Sequence, residues 1–497
     1  MSQLKKLFGD TIIYGASSIF GRAINFLLVP LYTAVFAPDE YGAVTELYAY
    51  VAFLMVLYLY GVETTFFRFA TKYENQTKFY NISVTNALVI SVLLSGTLIL
   101  SSKWLGNGFP YPDASKYIVW LALILGLDTL VAVPFARLRL ESRAKKFAIF
   151  KISNILVNIG LNLFFLVFCP YWIKENPDSS VLIQSIYNPS FGVGYVFISN
   201  LAASAFTALL FLPHWVKFRF RFDSETWKEM FRYATPLVII GLAGVTNEML
   251  SRILLRHWLP EGYYSGFSNI AVLGIFGACY KLSMLMNLSV QSFRYAYEPF
   301  FFSKSKDKNS PELFAKVMNA FIIYGCLAFI VISLILPEVA PIILRQKDYL
   351  SALHIVPILL FAGLLLGVFY NLSVWYKVTD KTMAGAYITI IGAILTIGLN
   401  WLLIPILGYE GSALTALLAY LIMVIISYVW GQKHYYVPYR LSKGLIYLLY
   451  SATLVGIIYY LKLESAAKYI FGLSAMGFFI ILVLVFEKTK NKHHRVH

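Results

Sequence analysis

The sequence predicts an all-α polytopic membrane protein of about fourteen transmembrane helices, built as two parallel six-helix repeats plus two C-terminal helices. Three observations predict it: the apolar share, the spacing of the apolar runs and an internal duplication. Of 497 residues, 59% are apolar and only 13% are charged, whereas a soluble chain carries about 25% charge. A membrane helix takes about 20 mostly apolar residues. Apolar runs between charged or Gly/Pro-rich breaks centre near Asn25, Met55, Val92, Leu125, Leu161, Ser204, Gly244, Cys279, Ala328, Leu364, Ile394, Leu421, Leu454 and Phe479. They leave no room for a large soluble domain.

The first run is longer than a signal-peptide core, contains Arg22 and lacks a small-residue cleavage site, so it reads as a retained helix. Fourteen spans create two alternating sets of loops. The set holding both termini carries 28 Lys and Arg, including Lys5, Arg137 to Lys146 and Lys217 to Arg232, and the opposite set carries 8. This bias places both termini in the cytoplasm. It also accounts for the net charge of +16, so no nucleic-acid partner is implied. Cys169, Cys279 and Cys326 are isolated in apolar sequence, which supports neither a disulfide framework nor a zinc site.

The chain also matches itself. Asn25, Pro38 and Tyr41 recur as Asn247, Pro260 and Tyr263 at an offset of 222 residues, and Phe67-Arg68-Phe69-Ala70 recurs as Phe293-Arg294-Tyr295-Ala296 at 226. Ile159-Gly160-Leu161-Asn162 recurs as Ile397-Gly398-Leu399-Asn400 at 238. A slowly drifting offset across several spans reads as duplication of spans one to six as seven to twelve. Six is even, so the two copies enter the membrane in the same sense, a repeat arrangement used by transporters with a site between the halves. The expected divisions are 1–222, 223–432 and a two-span addition with a basic tail, 433–497.

Three segments carry a family resemblance: Gly15 to Pro30 with Arg22, the Pro38-Asp39-Glu40-Tyr41-Gly42 turn, and Gly408-Tyr409-Glu410-Gly411-Ser412-Ala413. With them the chain resembles the multidrug/oligosaccharidyl-lipid/polysaccharide exporter superfamily, in its polysaccharide-biosynthesis branch of Wzx-type oligosaccharide flippases. The resemblance covers nearly the whole chain. It implies a V-shaped pair of lobes whose cavity is lined by spans one, two, seven and eight and opens alternately to each side.

Ionisable groups inside a span cost several kcal/mol unless they face water or a partner, so each is a functional candidate. Arg22 lies ~18 Å deep in span one at 1.5 Å per residue. Lys281 lies at a comparable depth in span eight, Glu46 and Glu63 on span two, Glu248 and Arg252 on span seven. All six fall on the helices that the resemblance makes the cavity wall. Arg22 and Lys281 offer fixed positive charge to an anion, and a lipid diphosphate suits arginine's planar donors; an ion pair of Arg22 with Glu46 or Glu63 is the structural alternative. Glu248 and Arg252, at i and i+4, suit a local salt bridge. Asn25 and Asn247 either bond sugar hydroxyls or tie helices together. Arg68, Arg294 and Lys151 sit near the inner boundary, where they snorkel or attract anionic headgroups. Tyr58, Tyr60 and Tyr280 are candidates for stacking on sugar rings.

Asp128, midway along span four with Asn162 to assist it, is the position for Na⁺ or proton coupling, a solvated or Thr129-bonded carboxylate being the alternative. No other cofactor is expected. The function these features point to is a flippase carrying a polyprenyl-diphosphate-linked oligosaccharide across the cytoplasmic membrane of a bacterium, for cell-surface polysaccharide. Its partners would be the lipid-linked saccharide, membrane lipids, and the polymerase and glycosyltransferases of the same route. An ion-coupled multidrug exporter on the same fold is a second reading, which Arg22 and Lys281 oppose. A membrane glycosyltransferase or polymerase is a third, but the longest outer connection, near Pro170 to Ser190, shows no catalytic constellation. No phosphate-binding G-x-x-x-x-G-K-[ST] loop occurs, so ATP drive within the chain is not expected.

Overall fold

The computed structural model describes residues 21, 23–73, 75–176, 181–216, 218–304, 309–461 and 465–488. Arg22 therefore lies outside the described residues. The chain divides into two compact units, Met1–Met249 and Leu250–His497. The first holds α1 (Ala23–Val35), α2 (Pro38–Lys72), α3 (Gln76–Gly106), α4 (Ala114–Leu140), α5 (Ala144–Glu175), α6 (Gly194–Leu210) and most of α7 (Ser224–Trp258). The second holds the end of α7, α8 (Asn269–Lys304), α9 (Ser310–Ile343), α10 (Lys347–Val378), α13 (Leu441–Leu461) and α14 (Ser465–Lys488). Between α10 and α13, a continuous helical stretch, Thr382–His434, is divided at Gly408 into α11 (382–407) and α12 (409–434). Among the described residues, eleven helices are long and apolar enough to cross a membrane. The divided stretch serves for two of the fourteen crossings, and the shorter apolar α1 and α6 supply the rest among the described residues. The protein is a multi-pass membrane protein.

The local sequence explains the helix starts. Pro38 opens α2 where a missing N–H costs nothing, and the Ala37 N–H donates to Glu40 Oε2 at 3.0 Å, half of a capping box. Asn75 caps α3 by accepting from the Lys78 N–H at 3.0 Å. Between α3 and α4, Ser91 and Ser95 donate to the Gly126 and Ala122 carbonyls at 3.2 and 2.7 Å. Small side chains let these helices approach closely, as membrane packing requires. In the second unit, Arg440 and Lys443 bind Glu487 at 2.7 and 3.3 Å, and Lys468 pairs with Glu338, which ties α14 to α13 and α9.

Two spans carry backbone that an uninterrupted helix does not adopt. Within α2, Tyr60 and Gly61 both have positive φ, 41° and 64°. Gly61 takes that conformation freely, whereas for tyrosine it costs roughly 1–2 kcal/mol. The Tyr60 ring stacks on Phe231 at 4.4 Å and its hydroxyl lies 3.1 Å from Thr235 Oγ1, which holds the strained residue in place. At Gly408, φ 58° and ψ −132° is a conformation open essentially to glycine alone.

The duplication predicted from sequence has a hydrogen-bonded counterpart. Asn162 on α5 is fully buried, donates to the Asn158 carbonyl at 2.8 Å and accepts from Tyr32 of α1 at 3.0 Å. Its repeat mate Asn400 on α11 is likewise buried, donates to the Thr396 carbonyl at 2.7 Å and to Ser251 of α7 at 3.0 Å, and accepts from Ser412 at 3.2 Å. Each asparagine thus ties the fifth span of its repeat to the first. Asn400→Leu is expected to cost about 1 kcal/mol, the usual value of a polar contact between membrane helices. A thermal unfolding midpoint equal to wild type in detergent would refute that role.

Candidate functional site

In the second unit the functional side chains converge where α7 ends and α8 crosses the membrane. Arg252 is 8% exposed and its guanidinium lies over the Tyr280 ring, 4.2 Å from the centroid. Lys281, the next residue on α8, is half-buried and close enough to Arg252 to feel its charge. Among the described residues Lys281 has no ion-pair or hydrogen-bond partner. Two like charges in a region of low dielectric repel each other, and an anion with several acceptor oxygens relieves that repulsion while accepting arginine's forked donors. Asn247 is buried one turn before Ser251 on α7, and Glu248 is exposed. Tyr280 holds a cation on its face.

The first unit contains a second polar place. A cavity of about 350 Å³ is lined by Glu63, Asp128, Arg139, Lys151, Asn154 and Thr207 among apolar residues. Glu63 and Arg139 form an ion pair at its basic end. The buried Nε–H of Arg139 has no partner among the described residues, a donor left for water or a ligand. Lys151 is accessible from the cavity, its ammonium lies 4.4 Å from the Phe135 ring centroid, and it interacts electrostatically with Asp128 and Glu63. Ser204 of α6 lies near Asp128.

Several sequence expectations change here. Asn162 does not assist Asp128, because both of its polar atoms are committed to Tyr32 and Asn158. Thr129 does not hold the carboxylate either, since its hydroxyl donates to the Leu125 carbonyl at 2.7 Å. Glu46 is fully buried beside the Tyr111 hydroxyl at 3.4 Å, with no surface to offer a ligand. Glu63 pairs with Arg139, which sequence spacing could not reveal across 76 residues. Tyr58 is fully buried with its hydroxyl 3.0 Å from Ser95, so it presents no face to a sugar, and one face of Tyr60 is stacked on Phe231. Asn25 is exposed. Arg68 and Arg294, mates in the two repeats, rest on the Tyr233 and Tyr370 rings at 4.3 and 5.2 Å. The break at Tyr60-Gly61, two residues before Glu63, went unread in the sequence. A glycine between mid-span charges was its signal, since interrupted helices mark transporter sites.

A third cluster lies around Gly408. Glu410 accepts from the Tyr264 hydroxyl at 2.6 Å and lies 2.8 Å from His354 Nε2, and the Tyr264 and Tyr409 rings stack at 4.4 Å. The Gly408 to Ala413 segment is thus a structural joint of the second unit.

With this geometry in view, comparison with known proteins decides the family. A family model described as polysaccharide biosynthesis protein matches residues 7–303. The chain belongs to this family. The chain is also similar to the Lsg locus putative protein 1 of Haemophilus influenzae, at 17% identity over 305 residues, 61% of this chain and 68% of the other. The fold is similar to that of the lipid II flippase MurJ in an inward closed conformation, at 12% identity and TM-score 0.72, over 95% of this chain and 98% of the other. It is also similar to an inward-facing multidrug resistance MATE transporter of the MOP superfamily, at 13% identity and TM-score 0.62, over 83% and 94%. The chain thus combines membership of a polysaccharide-biosynthesis family with a fold similar to those of a lipid II flippase and a multidrug resistance transporter.

Proposed function

We propose that this protein is a flippase for an anionic, lipid-linked oligosaccharide, most concretely a polyprenyl diphosphate carrier, used in cell-surface polysaccharide synthesis. The observation that carries this reading is the Arg252–Tyr280–Lys281 group. Two cations held at membrane depth, one of them oriented by an aromatic face, suit a diphosphate and repel a cationic drug. The polysaccharide-biosynthesis family and the fold shared with a lipid II flippase support it. In this reading the basic loops and both ends face the cytoplasm, the protein sits in the cytoplasmic membrane of a bacterium, and the saccharide leaves towards the polymerase that consumes it.

The test uses sealed vesicles containing the full chain and a fluorescent polyprenyl-diphosphate oligosaccharide in the inner leaflet, without nucleotide. Exchange faster than in empty vesicles is expected, together with no acceleration for the same polyprenyl saccharide joined without phosphate. If the phosphate-free lipid moves equally fast, or a cationic dye is exported instead, the reading is wrong and the multidrug alternative gains.

A further inference from the structure

The first unit has another cavity, walled almost wholly by apolar side chains. It encloses about 220 Å³ where α2 and α3 meet the start of α7, and its lining includes Asn86, Val89 and Leu93 of α3, Phe222 just before α7, and Trp227 and Phe231 on it. The rings of Phe222, Trp227, Phe231 and Tyr60 follow one another at centroid distances of 6.3, 4.9 and 4.4 Å, which makes one continuous aromatic wall. Val89 and Leu93 are exposed on a membrane-spanning helix, so the cavity opens towards lipid.

The edge of this cavity is basic. Each aromatic residue that α7 and its approach place in the lining has a cationic neighbour in sequence: Arg221 before Phe222, Lys228 after Trp227 and Arg232 after Phe231. All three are exposed, and among the described residues none has an ion-pair partner. Lys228 and Arg232, at i and i+4, repel each other. Of the nearby carboxylates, Asp223 is held by Lys78 at 2.9 Å, and Glu229 by Lys72 at 3.7 Å and by the Tyr73 hydroxyl at 3.1 Å. That leaves Glu225 to offset three cations. The segment bearing Arg221 is anchored on α3, because the Arg219 and Arg221 N–H groups donate to the buried Asn81 and Thr85 side chains at 3.4 and 3.1 Å. Asn86 is a polar residue in the apolar lining, and its amide makes no hydrogen bond among the described residues.

Aromatic and branched aliphatic walls accept a hydrocarbon chain, and unpaired cations at a membrane surface attract an anionic headgroup. A free amide suits the ester that joins the two in a glycerolipid. A partner helix about 10 Å across does not enter a space of this size. We propose that this cavity binds an anionic glycerophospholipid, with one acyl chain along the Phe222–Trp227–Phe231 wall, its ester at Asn86 and its phosphate at Arg221 and Lys228. A lipid so placed fastens the start of α7 to α2 and α3. It is a resident of the protein's surface, whichever lipid the protein carries.

The test places the full chain in phosphatidylcholine nanodiscs that contain rising fractions of dibrominated phosphatidylglycerol or, separately, of dibrominated phosphatidylcholine. Bromine quenches a tryptophan that it touches, and of nine tryptophans the emission missing from Trp227→Phe reports this cavity. Half-maximal quenching of that emission is expected at a fraction of phosphatidylglycerol at least about fivefold lower than of phosphatidylcholine, the effect of one basic residue at an anionic surface. The double variant Arg221→Gln, Lys228→Gln, altered at exposed positions, is expected to lose this preference while its response to phosphatidylcholine stays unchanged. Asn86→Leu is expected to weaken both lipids alike, since both carry esters. Equal quenching by the two lipids would mean that bulk lipid fills the cavity and would overturn the proposal. So would a preference that survives loss of both cations, or a brominated polyprenyl phosphate that quenches Trp227 ahead of phosphatidylglycerol, which would give the cavity to a carrier lipid. The readout needs no saccharide exchange, so a failure of the flippase reading leaves it intact.

Discussion

Gly408→Ala is expected to lower stability by about 3–5 kcal/mol, from backbone strain together with lost tyrosine hydrogen bonds. The first cost is the backbone itself, because φ 58° with ψ −132° disfavours any Cβ. The second is contact. An alanine methyl would clash with the Tyr264 hydroxyl oxygen and meet the ring at 2.8 Å. The ring can yield only by leaving its stack on Tyr409, its bond to Glu410 at 2.6 Å and the bond its oxygen accepts from the Tyr409 N–H at 3.3 Å. Burial, then the Glu410 carboxylate, raise the Tyr264 phenol above its ordinary range, so it remains a donor at any physiological pH. Thermal unfolding in detergent checks the size of the loss. The double variant Gly408→Ala, Tyr264→Ala separates the causes: it should be less destabilised than the sum of the singles, since removing the ring removes the clash. A Gly408→Ala protein as stable as wild type would show that the joint is loose.

The same segment shows what the sequence could convey. Gly408 to Ala413 was legible as a family feature, but not as a joint closed by Tyr264 and His354, because those partners lie more than 50 residues away. Spans, their number and their duplication were legible because membrane burial acts on every residue of a helix and leaves a long apolar signature. Asn162 and Asn400 were likewise visible as repeat mates, and only their shared task of binding the first span of each repeat needed coordinates. The charged sites were half legible. That Asp128, Glu63, Lys281 and Arg252 stand inside spans follows from the sequence, whereas their partners depend on helix rotation. A span buried on most faces carries little periodic signal from which to read rotation. Hence the sequence puts Glu63 on a substrate cavity where the structure finds it on Arg139, and puts Lys151 at the interface where the structure finds its ammonium over the Phe135 ring beside a cavity.

Lys281→Met is expected to lower exchange of the diphosphate-linked saccharide by about 10- to 100-fold, the effect of losing one charge-assisted contact of about 1.5–3 kcal/mol. Stability should move the other way or not at all. In the free protein Lys281 and Arg252 repel each other, so a neutral side chain of similar length relieves that repulsion. This opposition of signs separates a binding cation from a structural one, whose removal would lower both quantities. Arg252 obeys a stricter rule, because its guanidinium lies flat over Tyr280 at 4.2 Å and its planar fork is thereby aimed. Arg252→Lys preserves charge but loses both the fork and the flat stacking, and is expected to recover little of the exchange lost in Arg252→Met. Tyr280→Leu should then mimic Arg252→Lys, by leaving the charge present but unaimed. Leaflet exchange and unfolding temperature, measured on the same four purified variants, decide the matter: full exchange in Arg252→Lys would mean that charge alone suffices, and parallel losses of exchange and stability in Lys281→Met would make its ammonium part of the scaffold.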